Sequence, residues 1–328
     1  MALNKKRHHY VPVTYLKGFC DNTGRVVAYR KDEPDKPLYL GPTEIAFERY
    51  YYSQPLPEGG QENHRFEDLF ASVETHWPRA LTAAHTGTFD PEVLHWLYAF
   101  MTMMRARVPA ARDFHESAMV LKMRLEVQAL AEVGKLPSEL VRYEHELDTV
   151  DIAVNRHRTI ATMSDDMRRF ADTTLYLGFE ILLNETPLDF ISSDNPVAYF
   201  DPSISGTRNV PYDVDRKVEL YFPLDARTLL RGSHRLRAHG HVPRVRRLAE
   251  EARVRAINRT IAQFGYRFLF AKSRAHDALA YAATSPVLDA DVRRPREREV
   301  EIHLKHKFGP RPKLIKFDPE KCEGELRW

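Results

Sequence analysis

With 328 residues, 43% hydrophobic and 29% charged, the chain can bury a substantial core and has the balance of a soluble globular protein, as one large domain or two closely joined lobes. A net charge of only +3 excludes recognition of an anionic polymer by overall charge and leaves that task to local clusters. Cys20 and Cys322 are the only cysteines, which excludes a disulfide framework and suits a reducing compartment. No apolar run is long enough to span a bilayer, and the basic first residues lack the apolar stretch of a signal peptide, so a cytoplasmic protein is expected.

The chain opens with Arg7, His8, His9, Tyr10, Val11 and Pro12, followed by the anchor Tyr15, Leu16, Lys17, Gly18, Phe19. Proline fixes its own φ and pushes Val11 toward extended backbone, so the two imidazoles are expected on an extended segment. Asp21-Asn22-Thr23-Gly24 is a turn signal, and strands are expected at Arg25 to Arg30, Leu38 to Leu40 and Tyr50 to Ser53. Pro55, Pro57, Gly59 and Gly60 mark an exposed loop.

Helical spacing then takes over. Phe66, Phe70, Val73, Trp77, Ala80, Leu81 and Ala84 predict one helix from Glu62 to Ala84. Asp90 as cap and Pro91 at the first helical position predict the next, running to the Arg107-Val108-Pro109 step. Further amphipathic runs cover about Ala110 to Val133 and Val150 to Thr173.

Strand character returns at Leu175 to Leu183, Asp189 to Ile191, Val197 to Phe200, Val218 to Pro223 and Thr228 to Leu230. A helix with a basic face is expected from Arg244 to Gln263, and a last strand from Tyr266 to Lys272. Beyond about residue 285 the chain is charged and proline-punctuated, apart from an alternating segment at Val300, Ile302 and Leu304. The expected architecture is α+β. A helical cluster at 62–173 lies beside a mixed or antiparallel sheet of N- and C-terminal strands, as a single domain over 1–285 with a basic C-terminal arm at 286–328.

The opening His-His-Tyr-Val-Pro, with Tyr15-Leu16 three residues later, resembles a large bacterial and fungal family of unknown function. Echoes follow in the same order: the Glu67/Glu74 helix, Arg107-Val108-Pro109, Phe190 through Val197 with its Ser-Asp-Asn-Pro-Val, and Phe222-Pro223-Leu224. They span roughly residues 7 to 273. The resemblance implies no activity, so the chemistry rests on residue types.

Glu67 and Glu74, seven apart on a helix, point almost the same way at the edge of an apolar stripe. Two carboxylates there require a cation, an arginine or a shared proton. Adjacent residues of an extended segment face opposite sides, so one of His8 and His9 is expected at a site and the other in a structural bond. Asp194 stands at a strand's end before Pro196, where a carboxylate is either catalytic or a turn-former. Arg107 is expected either to clamp an anionic substrate or to form a salt bridge with Glu67 or Glu74.

Together His8, His9, Glu67, Glu74, Asp194 and Arg107 suggest a hydrolase of nuclease or phosphodiesterase type. His9, Glu67, Glu74 and Asp194 would then hold Mn, Fe or Zn. Arginines across 227–259, with Arg244, Arg246, Arg247 and Arg255 foremost, and the basic tail point to nucleic acid as partner. The alternative is a non-catalytic nucleic-acid or protein-binding module in which the His, Glu and Asp residues are structural.

Overall fold

The computed structural model of the chain describes residues 7–55, 61–62, 65–141, 152–202, 208–209, 218–276, 279, 285–296, 299–309 and 311. The basic leader, the loop residues Pro57, Gly59 and Gly60, the helix start at Val150, Arg298 and the chain after 311 lie outside the described residues.

Arg7–His9 (β1) is extended, as expected, and Pro12 with φ −60° opens the one-turn helix Val13–Leu16 (α1). Val26–Arg30 (β2) and Glu33–Leu40 (β3) pair antiparallel, and Phe47–Arg49 (β4) returns to β1 with His8 opposite Glu48. Residues 50–53 form a turn rather than the expected strand. Tyr50 takes a φ of +54° and its carbonyl accepts the Ser53 N–H at 3.2 Å, which carries Tyr51 and Tyr52 into the core. Gln54–Pro55 (β5) and Gln61–Glu62 (β6) make a short ladder.

The helix expected from Glu62 to Ala84 is two helices, Arg65–Thr75 (α2) and Trp77–Thr86 (α3). Pro78 has no N–H to give the Glu74 carbonyl and its ring would strike that carbonyl in a continuous helix, so the chain breaks at His76. Asp90 caps Pro91–Ala106 (α4) as expected, accepting the Val93 N–H at 2.8 Å. Pro109–Glu132 (α5) starts beyond the Arg-Val-Pro step, and Ser138–Val141 (α6) adds one turn. Arg156–Ala161 (α7) and Met163–Thr174 (α8) replace the single helix expected to end at Thr173. The Thr162 hydroxyl donates to the Thr159 carbonyl at the junction and competes with helical bonding.

The second half carries Gly178–Asn184 (β7), Ser192–Ser193 (β8), Ala198–Phe200 (β9), Arg208–Asn209 (β10), Glu219–Pro223 (β11) and Thr228–Ser233 (β12). Asp189 to Ile191 is not a regular strand. The Phe190 N–H goes to the Ala226 carbonyl and the Ile191 N–H to the Asn258 side chain. The helix expected from Arg244 starts later. Arg244–Leu248 (β13) is a strand parallel to β7, and Glu251–Phe264 (α9) follows it. Phe268–Ala271 (β14) comes next, and the tail's described part is a long hairpin, Ser285–Arg296 (β15) and Glu299–Gly309 (β16). Its Phe308 ring lies 5.0 Å from Phe264.

The fold is α+β. Strands from the two ends share an antiparallel sheet in the order β3-β2-β14-β8, beside a mixed sheet in the order β13-β7-β12-β11-β9. One face of both sheets packs on α2, α3, α4 and α8 through Val26, Ala28, Phe222, Leu230, Trp77, Phe100 and Phe170. The other is covered by α9 through Val254, Ile257 and Ile261 against Val27, Leu182, Leu229 and Leu269. Tyr15 of α1 sits at the centre of the first core. Its ring stacks on Phe222, and its hydroxyl donates to the Pro223 carbonyl at 2.8 Å while lying 2.7 Å from Ser192 Oγ. Among the described residues no helix is long and apolar enough to cross a membrane.

Candidate functional site

The β1–β4 ribbon places the two histidines on opposite sides, as alternation demands. His8 is wholly buried, stacks on Tyr52 and accepts the Tyr52 N–H on Nδ1 at 3.0 Å. His9 is half-buried against Phe47. Burial lowers its pKa, opposed by a hydrogen bond to the Thr43 backbone and by the charge of Glu74, and assisted by that of Arg107. Its Nε2 has no hydrogen-bond partner among the described residues.

Arg107 ends α4 with 2% of its surface exposed. Its guanidinium donates to Glu74 at 2.6 Å, to the Tyr52 hydroxyl at 3.1 Å and to the main-chain carbonyl of His9, and lies over the Phe70 ring at 4.3 Å. Burial alone would lower its pKa, but Tyr52 and Glu74 outweigh that and hold it above the ordinary arginine value. Burial likewise pushes the Tyr52 hydroxyl up to about 12. Glu67, half-buried on the same helix as Glu74, adds its charge near Tyr52. Of the two roles expected for Arg107, the geometry displays the salt bridge to Glu74.

Asp194 is wholly buried and belongs to another set of partners. Its carboxylate accepts the Tyr266 N–H at 2.8 Å and the Arg267 N–H at 3.1 and 2.8 Å, while Asn195 donates to the Phe264 carbonyl. The Ser-Asp-Asn-Pro corner therefore ties down the passage from α9 into β14 through Asp194 and Asn195, while Ser193 Oγ holds its own turn by accepting the Asn195 N–H at 3.2 Å.

Four residues not singled out in the sequence gather beside it. Arg267 bonds Glu48 at 2.5 Å and approaches Asp113 at 3.9 Å, and the Tyr266 hydroxyl donates to Asp113 at 2.7 Å. Burial raises the Asp113 pKa, against the pull of the Tyr266 hydrogen bond and the Arg267 charge. Since His8 stands opposite Glu48, this group and the Arg107 group form one polar seam on either side of the ribbon.

The seam brings Arg107, Glu74 and the His9 carbonyl together, and keeps Asp194 with Tyr266 and Arg267. Among the described residues no three His, Cys, Asp or Glu side chains are placed to hold a metal ion, and of the expected set His9, Glu67, Glu74 and Asp194, the last is bonded to the Tyr266 and Arg267 backbone instead. Chemically the seam fixes the N-terminal segment to the start of α5 and to the α9–β14 corner.

A family model for a protein of unknown function, DUF4238, matches residues 7–275, and so takes in every residue of the seam. The chain belongs to the DUF4238 family. No curated protein and no solved structure matches it.

The arginines of this DUF4238 chain lie elsewhere, along the rim of the mixed sheet. Strand β13 is its edge, bonded to β7 on one side and to no other strand among the described residues. Arg244, Val245, Arg246 and Arg247 are all exposed there. Arg247 bonds Glu185 and Arg255 bonds Glu251, so of the four expected to meet nucleic acid only Arg244 and Arg246 have no acidic partner among the described residues. A 3₁₀ helix, His234–His239, adds exposed Arg235 and Arg237. It presses so closely on β7 that a Cβ at Gly178 would stand 1.9 Å from the Leu236 carbonyl oxygen, a fit only glycine permits.

Sequence spacing misses Glu48, Asp113, Tyr266 and Arg267 because they arrive from three distant segments: β4, α5 and the residues just before β14. The one local signal is Arg112-Asp113, a charged pair that directly follows the apolar opening Pro109-Ala110-Ala111 of α5.

Proposed function

We propose that this DUF4238 chain is a binding module for nucleic acid, that the β13 rim is its contact surface, and that the His, Glu, Asp and Arg107 seam is structural. The observation that carries the reading is Arg244 and Arg246, exposed two residues apart on an open edge strand without acidic partners among the described residues, with exposed Arg235 and Arg237 in the 3₁₀ helix that precedes the strand. Alternate residues of a strand lie on one face about 6.7 Å apart, which suits successive contacts along a phosphate backbone. The hydrolase alternative asks substrate and water to reach His8, Arg107 and Asp194, which are 0%, 2% and 0% exposed. That burial supports the structural assignment.

The test is fluorescence anisotropy with labelled RNA and DNA oligonucleotides at low salt, paired with a gel for cleavage with and without chelator. Binding that weakens at least about tenfold in the Arg244→Glu/Arg246→Glu double variant, with the oligonucleotide intact, is the expected result. Absence of binding, or chelator-sensitive cleavage lost in Glu74→Gln, would replace the module reading with the hydrolase one or remove both.

A further inference from the structure

We infer that the rim takes single-stranded nucleic acid, with a base stacked on the ring of Tyr176; this rests on the β13 reading above. Tyr176 lies in the turn between α8 and β7, where its N–H is held by the Thr173 carbonyl. Tyr176 is 42% exposed. The guanidinium carbon of Arg237 sits over one face of the ring, 5.4 Å from its centroid, so a base would stack on the opposite face. The contact is built in, because the glycine-only approach at Gly178 sets the Arg237 helix against the strand that Tyr176 precedes.

Four of the nine large hydrophobic side chains exposed among the described residues, Leu175, Tyr176, Val242 and Val245, belong to the chain segments on either side of the Gly178–Leu236 contact. An exposed aromatic with apolar neighbours contributes little to a duplex presenting only phosphates, whereas splayed bases offer a π-face to it. Arginines with no acid partner beside a stacking ring are the combination that holds single strands. A protein partner would also cover apolar side chains, but Arg235, Arg237, Arg244 and Arg246 require it to be strongly acidic, and the competition arm below addresses that.

The probe is a labelled single strand of about 20 nucleotides, longer than the ~4–16 that one stacking groove covers. An abasic strand of equal length and the corresponding duplex accompany it. The wild type should bind the normal strand more tightly than either. Tyr176→Ala should weaken the normal strand by about tenfold, the loss expected of one stacked base, while leaving the abasic strand and duplex unchanged. Tyr176→Phe, which keeps the ring, should bind as the wild type does and shows that the fold is intact. Equal binding of all three probes, or Tyr176→Ala acting on the abasic strand as strongly, overturns the stacking inference yet leaves the arginine rim in place. Competition by polyglutamate as effective as by unlabelled strand overturns it in favour of an acidic protein. If no probe binds, the rim reading falls and the inference with it.

Discussion

The guanidinium of Arg107 reaches from the end of α4 to the main-chain carbonyl of His9. The same group holds Glu74, so the opening segment is anchored to two helices by one buried cation.

Arg107→Ala would leave that carbonyl and Glu74 without their donor in a nearly closed environment. A loss of about 3–5 kcal/mol is expected, as for one partner removed from a buried pair. Urea denaturation measures it, with Arg79→Ala as control. Arg79 pairs with Asp90 and Glu92 on the surface, and its loss should cost no more than about 1 kcal/mol.

Asp194→Ala would strip the acceptor from two backbone N–H groups, those of Tyr266 and Arg267. At about 1–3 kcal/mol for each buried donor left unmet, the expected loss is about 2–6 kcal/mol, and Asp194→Asn should recover part of it. A nearly unchanged urea midpoint for the alanine variant would show that the corner is held by other means.

Asp113 gives a pH dependence. Its folded pKa is raised by burial, so the folded state holds the proton more tightly than the unfolded chain, whose value is about 4. The folded state then binds more protons than the unfolded one across the interval between the two values, and stability falls as pH rises through it. This contribution is fully present below about pH 4 and is lost as pH rises through the raised folded value. Asp113→Asn keeps an oxygen for Tyr266 and removes the titration. The stability of wild type relative to this variant should therefore decline from pH 4 upward, and parallel curves would contradict the burial argument.

His9 has the opposite sign. Its folded pKa is lowered below the unfolded value of about 6.5, so the unfolded chain binds the extra proton. Stability is retained above about pH 6.5 and lost as pH falls through the lowered value. His9→Gln, which leaves the carbonyl that Arg107 uses, should flatten that acid-side loss in a thermal melt series.

Where the decisive interaction is local, the residues announce it. Asp90 before Pro91 caps α4, Pro12 opens α1, and His8 and His9 divide between core and half-exposed positions because extended backbone alternates. The α2–α3 break was also written in the chain, at Pro78, but apolar spacing runs through it unchanged from Phe70 to Ala84. Arg244 to Leu248 reads equally as strand or helix, and β7's free edge decides between them. The seam was half legible. Arg107 with Glu74 follows from charges on neighbouring helices, whereas Glu48, Asp113 and Arg267 meet through three separate turns of the tertiary structure.

The most direct measurement is the salt dependence of oligonucleotide binding for the wild type and for Arg244→Ala/Arg246→Ala. For a single strand, log affinity falls against log salt with a slope of about −0.7 per neutralised phosphate. Removal of two contacts should make the slope shallower by about 1.4, with the urea midpoint unchanged. Identical slopes for the two proteins, or no binding by the wild type at about 50 mM salt, would contradict the assignment of the β13 rim as the binding surface.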